Sequence, residues 1–237
     1  MTTTNTFGSR LTTFLTGFPA APPLPGGVVA YNPYQAPPAA ELLRSFGQRY
    51  YANNHPRVAL LGINPGRFGA GTTGVAFTDP AALQLHCGVA NSLPHRAELS
   101  SQFVYQLVAA LGGAAEFYRH FYLGSLYPLV LCRTAKITIT TMRPPLHYNY
   151  YDASAVTNAL WPHLQLAFQQ QFDLGLRRDV AISLGRRNGE YFQRLNQELQ
   201  LFERVLVFDH PRYLMQYKRR AVPEFVARYA AELAGLI

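Results

Sequence analysis

Three segments of this 237-residue chain carry side chains that could act on a bound ligand. In the first, the apolar run Val58-Ala59-Leu60-Leu61 reads as a buried strand that stops at Gly62-Ile63-Asn64-Pro65-Gly66. Pro65 has no N–H and Gly66 permits positive φ, so the strand cannot continue, and the Asn64 amide is left at its end. An amide is a weak base, so Asn64 can orient a water or a polar ligand atom but not take its proton. In the second, Arg204 to Phe208 ends in Asp209-His210-Pro211 and leads to Arg212-Tyr213-Leu214-Met215 and the basic run Lys218-Arg219-Arg220. A histidine there can stabilise developing negative charge. In the third, Phe121 to Tyr127 reads as a strand carrying Ser125, whose hydroxyl can donate once and also accept.

The glycine-rich stretch after Asn64 admits several readings. A phosphate cradle needs Gly-Lys-Ser/Thr after the glycines, and a dinucleotide fingerprint needs more than Gly69-Ala70-Gly71. A close-fitting pocket for a flat base would use the glycines for backbone approach and Phe77 as a stacking face. An ordinary strand-to-loop connection with a core Phe fits the glycine count as well.

These residues need elements to bring them together. Helical periodicity runs over Ala39 to Asn53, Ser100 to Leu111, Ala114 to Arg119, Ala153 to Phe172, Asn188 to Leu201 and Pro223 to Leu233. Asp79-Pro80 starts a further helix. Short apolar strands fall at Val58 to Ile63, Phe121 to Tyr127, Val180 to Leu184 and Arg204 to Phe208. The alternation predicts an α/β fold, three-layer α/β/α with a central, mainly parallel sheet of about four strands. In a parallel sheet the strand C-termini share one edge. Asn64, Ser125, Gly185 and His210 would therefore converge on one cleft. Residues 1–30, rich in Thr, Gly, Pro and Ala, read as a loosely ordered N-terminal arm, and 31–237 as a single domain. Lys136 to Thr141 alternates like a strand before Pro144-Pro145 and reads as an insertion hairpin beside the site.

The formal charge of +8 and pI of about 9.7 favour a polyanionic partner such as nucleic acid. The basic residues are nearly all Arg; Lys136 and Lys218 are the two lysines. Cys87 and Cys132 form no CxxC, so neither a zinc site nor an iron–sulfur cluster is expected, and no cofactor. No apolar run approaches a membrane span, and the N-terminus lacks a signal-peptide core. The expected location is cytoplasmic, nucleoid-associated in a bacterium, and the default state a monomer.

The segment from Gly62 to Phe77 resembles the first active-site motif of the single-strand-selective monofunctional uracil-DNA glycosylases, G-M-N-P-G-P-F-G-M-A-Q-T-G-V-P-F, within the uracil-DNA glycosylase superfamily. Gly62, Asn64, Pro65, Gly66, Phe68, Gly69, Thr73, Gly74, Val75 and Phe77 match without a gap, and the differences are those of a divergent second subgroup. His210 to Lys218 resembles the second motif, H-P-S-P-R-N-P-Q-A-N-K, shortened by two residues. Tyr31-Asn32-Pro33 and Gly185-Arg186 have counterparts as well. The clearest departure is at Gly124-Ser125-Leu126-Tyr127-Pro128-Leu129, aligned with H-N-L-C-P-L: Ser125 stands where the family's base-reading Asn stands.

The resemblance implies a monofunctional DNA glycosylase that hydrolyses the N-glycosidic bond of uracil or a related deaminated or oxidised base in DNA. Asn64 and His210 would be catalytic. Gly66, Phe68, Phe77 and Ser125 would hold the base. DNA would be bound by Gly185 and Arg186 at a helix start, by Arg212, and by Lys218, Arg219 and Arg220. Tyr213, Leu214 and Met215 would form a wedge in the base stack. The lysines fall outside the strand ends, which argues against a Schiff-base nucleophile. The alternatives are a basic nucleic-acid-binding module without catalysis and a nucleotide-binding α/β enzyme using the glycine loop for phosphate.

Overall fold

The computed structural model describes residues 5–66, 68–133 and 146–237. The chain runs α1 (Phe7–Gly17), β1 (Val28–Tyr31), α2 (Pro37–Tyr50), β2 (Arg57–Gly62), α3 (Ala70–Thr73), α4 (Pro80–Cys87), α5 (Leu99–Ala110), α6 (Ala114–His120), β3 (Phe121–Ser125), β4 (Val130–Arg133), β5 (Leu146–Tyr148), α7 (Ser154–Phe172), β6 (Leu176–Leu184), α8 (Arg186–Leu199), β7 (Val205–Phe208), α9 (Pro211–Tyr217) and α10 (Val222–Ala234). Four strands form the sheet expected from the sequence, in the order β3-β2-β6-β7, all parallel and flanked by helices. Every residue of β2 and β3 is buried, as near-continuous apolar runs in a covered parallel sheet require.

Two features depart from the sequence expectations. Over its described residues, 5–30, the N-terminal arm is not loose. Thr6 and Ser9 form a reciprocal cap on α1, and Phe7, Leu11, Phe14, Leu15 and Phe18 are buried in the main core. Gly8 crosses Gly47 of α2 so closely that a Cβ on Gly8 would lie 2.7 Å from the Gly47 carbonyl oxygen. The buried Arg57 guanidinium sits 4.8 Å from the Phe7 ring centre and donates to the carbonyls of Tyr118 and His55. The second departure is a separate antiparallel sheet, β1-β4-β5. Its β4 and β5 pair Leu131 with Tyr148 and Cys132 with His147, as the base of a hairpin would. Lys136 to Thr141 and Pro144-Pro145, assigned to that hairpin from the sequence, lie outside the described residues.

One buried amide joins the parallel sheet to the segment after β5 at the edge where the strands end. Asn188, in the first turn of α8, donates through Nδ2 to the carbonyls of Leu61 (3.0 Å) and Gly62 (3.2 Å) and to Ser183 Oγ (2.9 Å). Its Oδ1 accepts from Tyr150 Oη at 2.7 Å, just beyond β5. Substituting a same-sized apolar side chain would leave the Tyr150 hydroxyl without its acceptor and remove a donor from the Leu61 carbonyl and Ser183 Oγ, while the Gly62 carbonyl keeps the Leu126 N–H at 2.8 Å; each buried orphan costs about 1–3 kcal/mol. Asn188→Leu is predicted to lower the unfolding free energy by about 3 kcal/mol or more, measured by urea denaturation. A loss below about 0.5 kcal/mol, within the range of ordinary surface substitutions, would mean that this amide does not tie the elements together.

Candidate active site

At the C-terminal edge of the parallel sheet lies a cleft of about 530 Å³. Its walls include Asn64, Gly66, Phe68, Phe77, Ser125, His210, Arg212 and Tyr213. The ends of β2, β3 and β7 thus bring together residues from positions 64 to 213, and the geometry of each is set locally.

Asn64 lies two residues beyond the end of β2 and is buried. Its Nδ2 donates to the Tyr148 carbonyl of β5 at 3.1 Å. That bond turns Oδ1, which has no hydrogen-bond partner among the described residues, into a fixed buried acceptor. Ser125 ends β3 and pairs in register with Gly62. The Phe77 ring occupies the space above Gly62, where any Cβ would overlap it. Phe77 itself has φ of 54°, a left-handed conformation that costs a non-glycine residue about 1–3 kcal/mol. Such strain persists where surrounding structure over-determines it, and here it sets the ring 6.1 Å from His210, centre to centre.

His210 is the N-cap of α9. Its Nδ1 accepts from the Arg212 backbone N–H at 3.2 Å. A neutral ring with Nδ1 as acceptor carries its proton on Nε2. Burial, with Arg212 and His147 nearby, lowers its pKa to about 4. The ring is therefore a neutral donor at physiological pH. Gly185 lies behind it: a Cβ there would be 3.5 Å from the His210 side chain, and φ of 116° suits only glycine.

Several expectations for the DNA-binding residues need correction. Leu214 and Met215 are buried, because Pro211 to Tyr217 folds as a helix packed on α5 rather than as an open loop. The exposed aromatics on that helix are Tyr213 and Tyr217, one turn apart, with ring centres separated by 5.6 Å. Arg186 stays outside the cleft and bonds the Asp209 carboxylate at 2.7 Å. Gly185 contributes its backbone next to His210 and is not among the cleft-lining residues. Lys218, Arg219 and Arg220 are exposed beyond the end of α9.

The cleft also contains residues that the motif reading passed over: His147 and Asn149 from the second sheet, Gln216 and Tyr217 on α9, and Glu98 before α5. Periodicity gives no signal for Glu98, since it precedes a helix and its neighbours are remote in sequence. Its carboxyl lies against the glycine loop, and a Cβ on Gly66 would be 2.9 Å from Oε1. A carboxyl there would repel phosphate, which counts against the loop as a phosphate cradle. Asp79 caps α4 by accepting from Ala82 N–H and also accepts from Glu98 N–H, so it has a structural task at the helix start.

With that geometry in view, the comparisons are clear. The model of the uracil DNA glycosylase superfamily matches residues 49–234, and the chain belongs to that superfamily. It is a monofunctional DNA glycosylase, a hydrolase of base-excision repair, and its substrate is DNA. Among solved structures it is similar to the crystal structure of wild-type Pedobacter heparinus SMUG2, with 32% sequence identity, a TM-score of 0.92 and 98% of each chain covered. None of the curated proteins compared with it matches. No helix among the described residues is long and apolar enough to cross a membrane.

The His210 environment yields a titration prediction. Its ring should protonate near pH 4, against about 6.5 for an unperturbed imidazole. Because the folded pKa is the lower one, protonation favours the unfolded chain. The stabilisation from neutral His210 is complete above about pH 6.5 and is lost as pH falls through about 4. Ring NMR titration should show a resonance still neutral at about pH 5, absent from His210→Gln. A His210 midpoint near 6.5 would contradict a desolvated neutral ring.

Proposed function

We propose that this glycosylase removes uracil and related deaminated or oxidised bases by activating water with Asn64 and receiving the leaving base on His210. A glycosidic bond inside the base stack is out of reach, so the nucleotide must be extruded into the cleft. The flat base would lie between the Phe77 ring and the Gly66 backbone, its edge meeting Ser125. Ser125 has a shorter reach than an amide and can both donate and accept, so the pocket would take bases other than uracil as well.

Bond cleavage leaves positive charge on the sugar and negative charge on the base. The observation that carries the reading is the tautomer of His210. With Nδ1 occupied by the Arg212 N–H, Nε2–H is the donor available to a base carbonyl oxygen. A neutral donor suits this task because its bond strengthens as charge accumulates on the leaving base, which is differential stabilisation of the transition state. Asn64 Oδ1, held by the Nδ2–Tyr148 bond, would accept from the attacking water and aim its lone pair at the anomeric carbon. The water's proton leaves to solvent after attack, since no carboxylate among the described residues hydrogen-bonds Asn64.

The DNA rim follows from exposure and charge. Tyr213 and Tyr217 replace the tripeptide wedge as the aromatic surface beside the cleft mouth, and Lys218, Arg219 and Arg220 would meet phosphates. A monomer fits a single DNA-facing edge, and a cytoplasmic or nucleoid-associated location fits such a substrate.

The central experiment uses labelled oligonucleotides bearing uracil, hydroxymethyluracil, xanthine or hypoxanthine, with alkali cleavage of abasic sites. Asn64→Ala and His210→Ala should each lower single-turnover excision by about 10²–10³-fold with DNA binding nearly intact. Wild-type-like excision by both variants would remove the mechanism. DNA binding without excision of any base by the wild-type chain would leave a binding module. A second measurement separates stacking from charge at the rim. Tyr213→Ala/Tyr217→Ala should slow excision from duplex about 10-fold more than from single strands, because only the duplex must be opened. Lys218→Ala/Arg219→Ala/Arg220→Ala should weaken binding to either form and flatten its salt dependence. Equal losses on both substrates for the tyrosine pair would reject the stacking role.

A further inference from the structure

Glu98 is the one carboxyl among the described residues that lines the cleft. It precedes α5, and its backbone N–H is held by Asp79 Oδ2 at 3.0 Å, so its position is fixed from the main chain. Its side chain, by contrast, makes no hydrogen bond to the described residues. Oε2 is fully buried and without a partner. Both oxygens are pressed against the glycine loop: a Cβ at Gly69 would overlap Oε2, and one at Gly66 would stand 2.9 Å from Oε1. A carboxyl that merely braced the loop would be expected to bond its backbone N–H groups. This one fills the space where Gly66 and Gly69 carry no Cβ. Buried polar groups are paired in the great majority of cases; Oε2 is sealed against Gly69, and Oε1, beside the cleft-lining Gly66, is the oxygen that a ligand in the cleft can meet.

We propose that Glu98 is a specificity-determining residue that reads the edge of the extruded base facing the Gly66–Gly69 wall. This deepens the base-excision reading and rests on it. The two glycines leave that wall without side chains, so the surface a base meets there is backbone and one carboxyl. A base edge bearing a hydroxyl or N–H would supply the partner that Glu98 lacks. A methyl at the same place would cover the carboxyl without bonding it, and the unpaired group would oppose binding. The result is a pocket open to a polar substituent and closed to an apolar one of similar size, which bears directly on sparing thymine, a normal base. Two charged groups act on the carboxyl. Burial, and then Asp79 at the α4 cap, push its pKa up to about 7, while Arg212 on α9 opposes them. Near neutrality Glu98 can thus serve as donor or acceptor.

The test compares the intact wild-type chain with Glu98→Ala and Glu98→Gln on oligonucleotides carrying uracil, 5-hydroxymethyluracil or thymine. Single-turnover excision is measured for each base between pH 6 and 8, and folding is checked by thermal unfolding. Glu98→Ala should lower 5-hydroxymethyluracil excision relative to uracil by about 10-fold and raise thymine relative to uracil by a comparable factor. Glu98→Gln keeps shape and hydrogen bonding. It should retain most of the wild-type discrimination but lose any pH dependence of the 5-hydroxymethyluracil to uracil ratio. Parallel loss on all bases by both variants, or an unchanged ratio in Glu98→Ala, overturns the proposal. If the wild-type chain excises no base at all, the underlying function fails instead, and the two failures are thereby distinguished.

Discussion

Much of this molecule depends on the four hydrogen bonds of Asn188. Its amide holds the last two carbonyls of β2, the Ser183 hydroxyl on β6 and the Tyr150 hydroxyl beside the second sheet. Strand ends have carbonyls with no ladder partner, and in a buried setting these must be satisfied. Asn188 on α8 does part of this, with Leu126 N–H also donating to the Gly62 carbonyl, and it couples the ends of two strands to the segment after β5. Asn64, two residues beyond β2, and Tyr148, whose carbonyl orients the Asn64 amide, therefore sit on elements tied to the same residue.

The interior of the cleft and its rim are electrostatically different. The chain carries a formal charge of +8, yet the groups at the proposed base position are a neutral imidazole, an amide, a hydroxyl and a half-buried carboxyl, with Arg212 the one cation among the described lining residues. Cations are placed where phosphates would run, at Lys218, Arg219 and Arg220, with screening by solvent and salt. Inside, where desolvation penalises charge, dipoles act on charge that appears only during the reaction. A protonated histidine would also attract a leaving anion, but burial and two basic neighbours hold His210 in the neutral form.

Glycines mark where the backbone or a ring must come close. Gly62 makes room for the Phe77 ring, Gly66 and Gly69 for the Glu98 carboxyl, Gly185 for His210, and Gly8 for α2. The first of these also explains the left-handed Phe77 backbone. The ring is wedged between a strand end and a histidine, and the chain bends to keep it there.

The sequence by itself determined the parallel strands, most of the helices, and the convergence of Asn64, Ser125 and His210. Each of these follows from local rules: apolar runs of strand length, 3.6-residue periodicity, and the common C-terminal edge of parallel strands. The apolar stripe Phe7, Leu11, Phe14, Leu15 and Phe18 also had helical spacing, although the Thr- and Gly-rich composition hid it. Only the tertiary structure decided the rest. Leu214 and Met215 are apolar residues in a charged context, and whether they project or pack depends on whether α5 lies beneath them. The Asn64 amide is oriented by a carbonyl 84 positions away. Glu98 meets a glycine loop about 30 residues earlier only because Asp79 draws the start of α5 to the cleft. Such contacts lie between residues distant along the chain, where no periodicity or motif spacing records them.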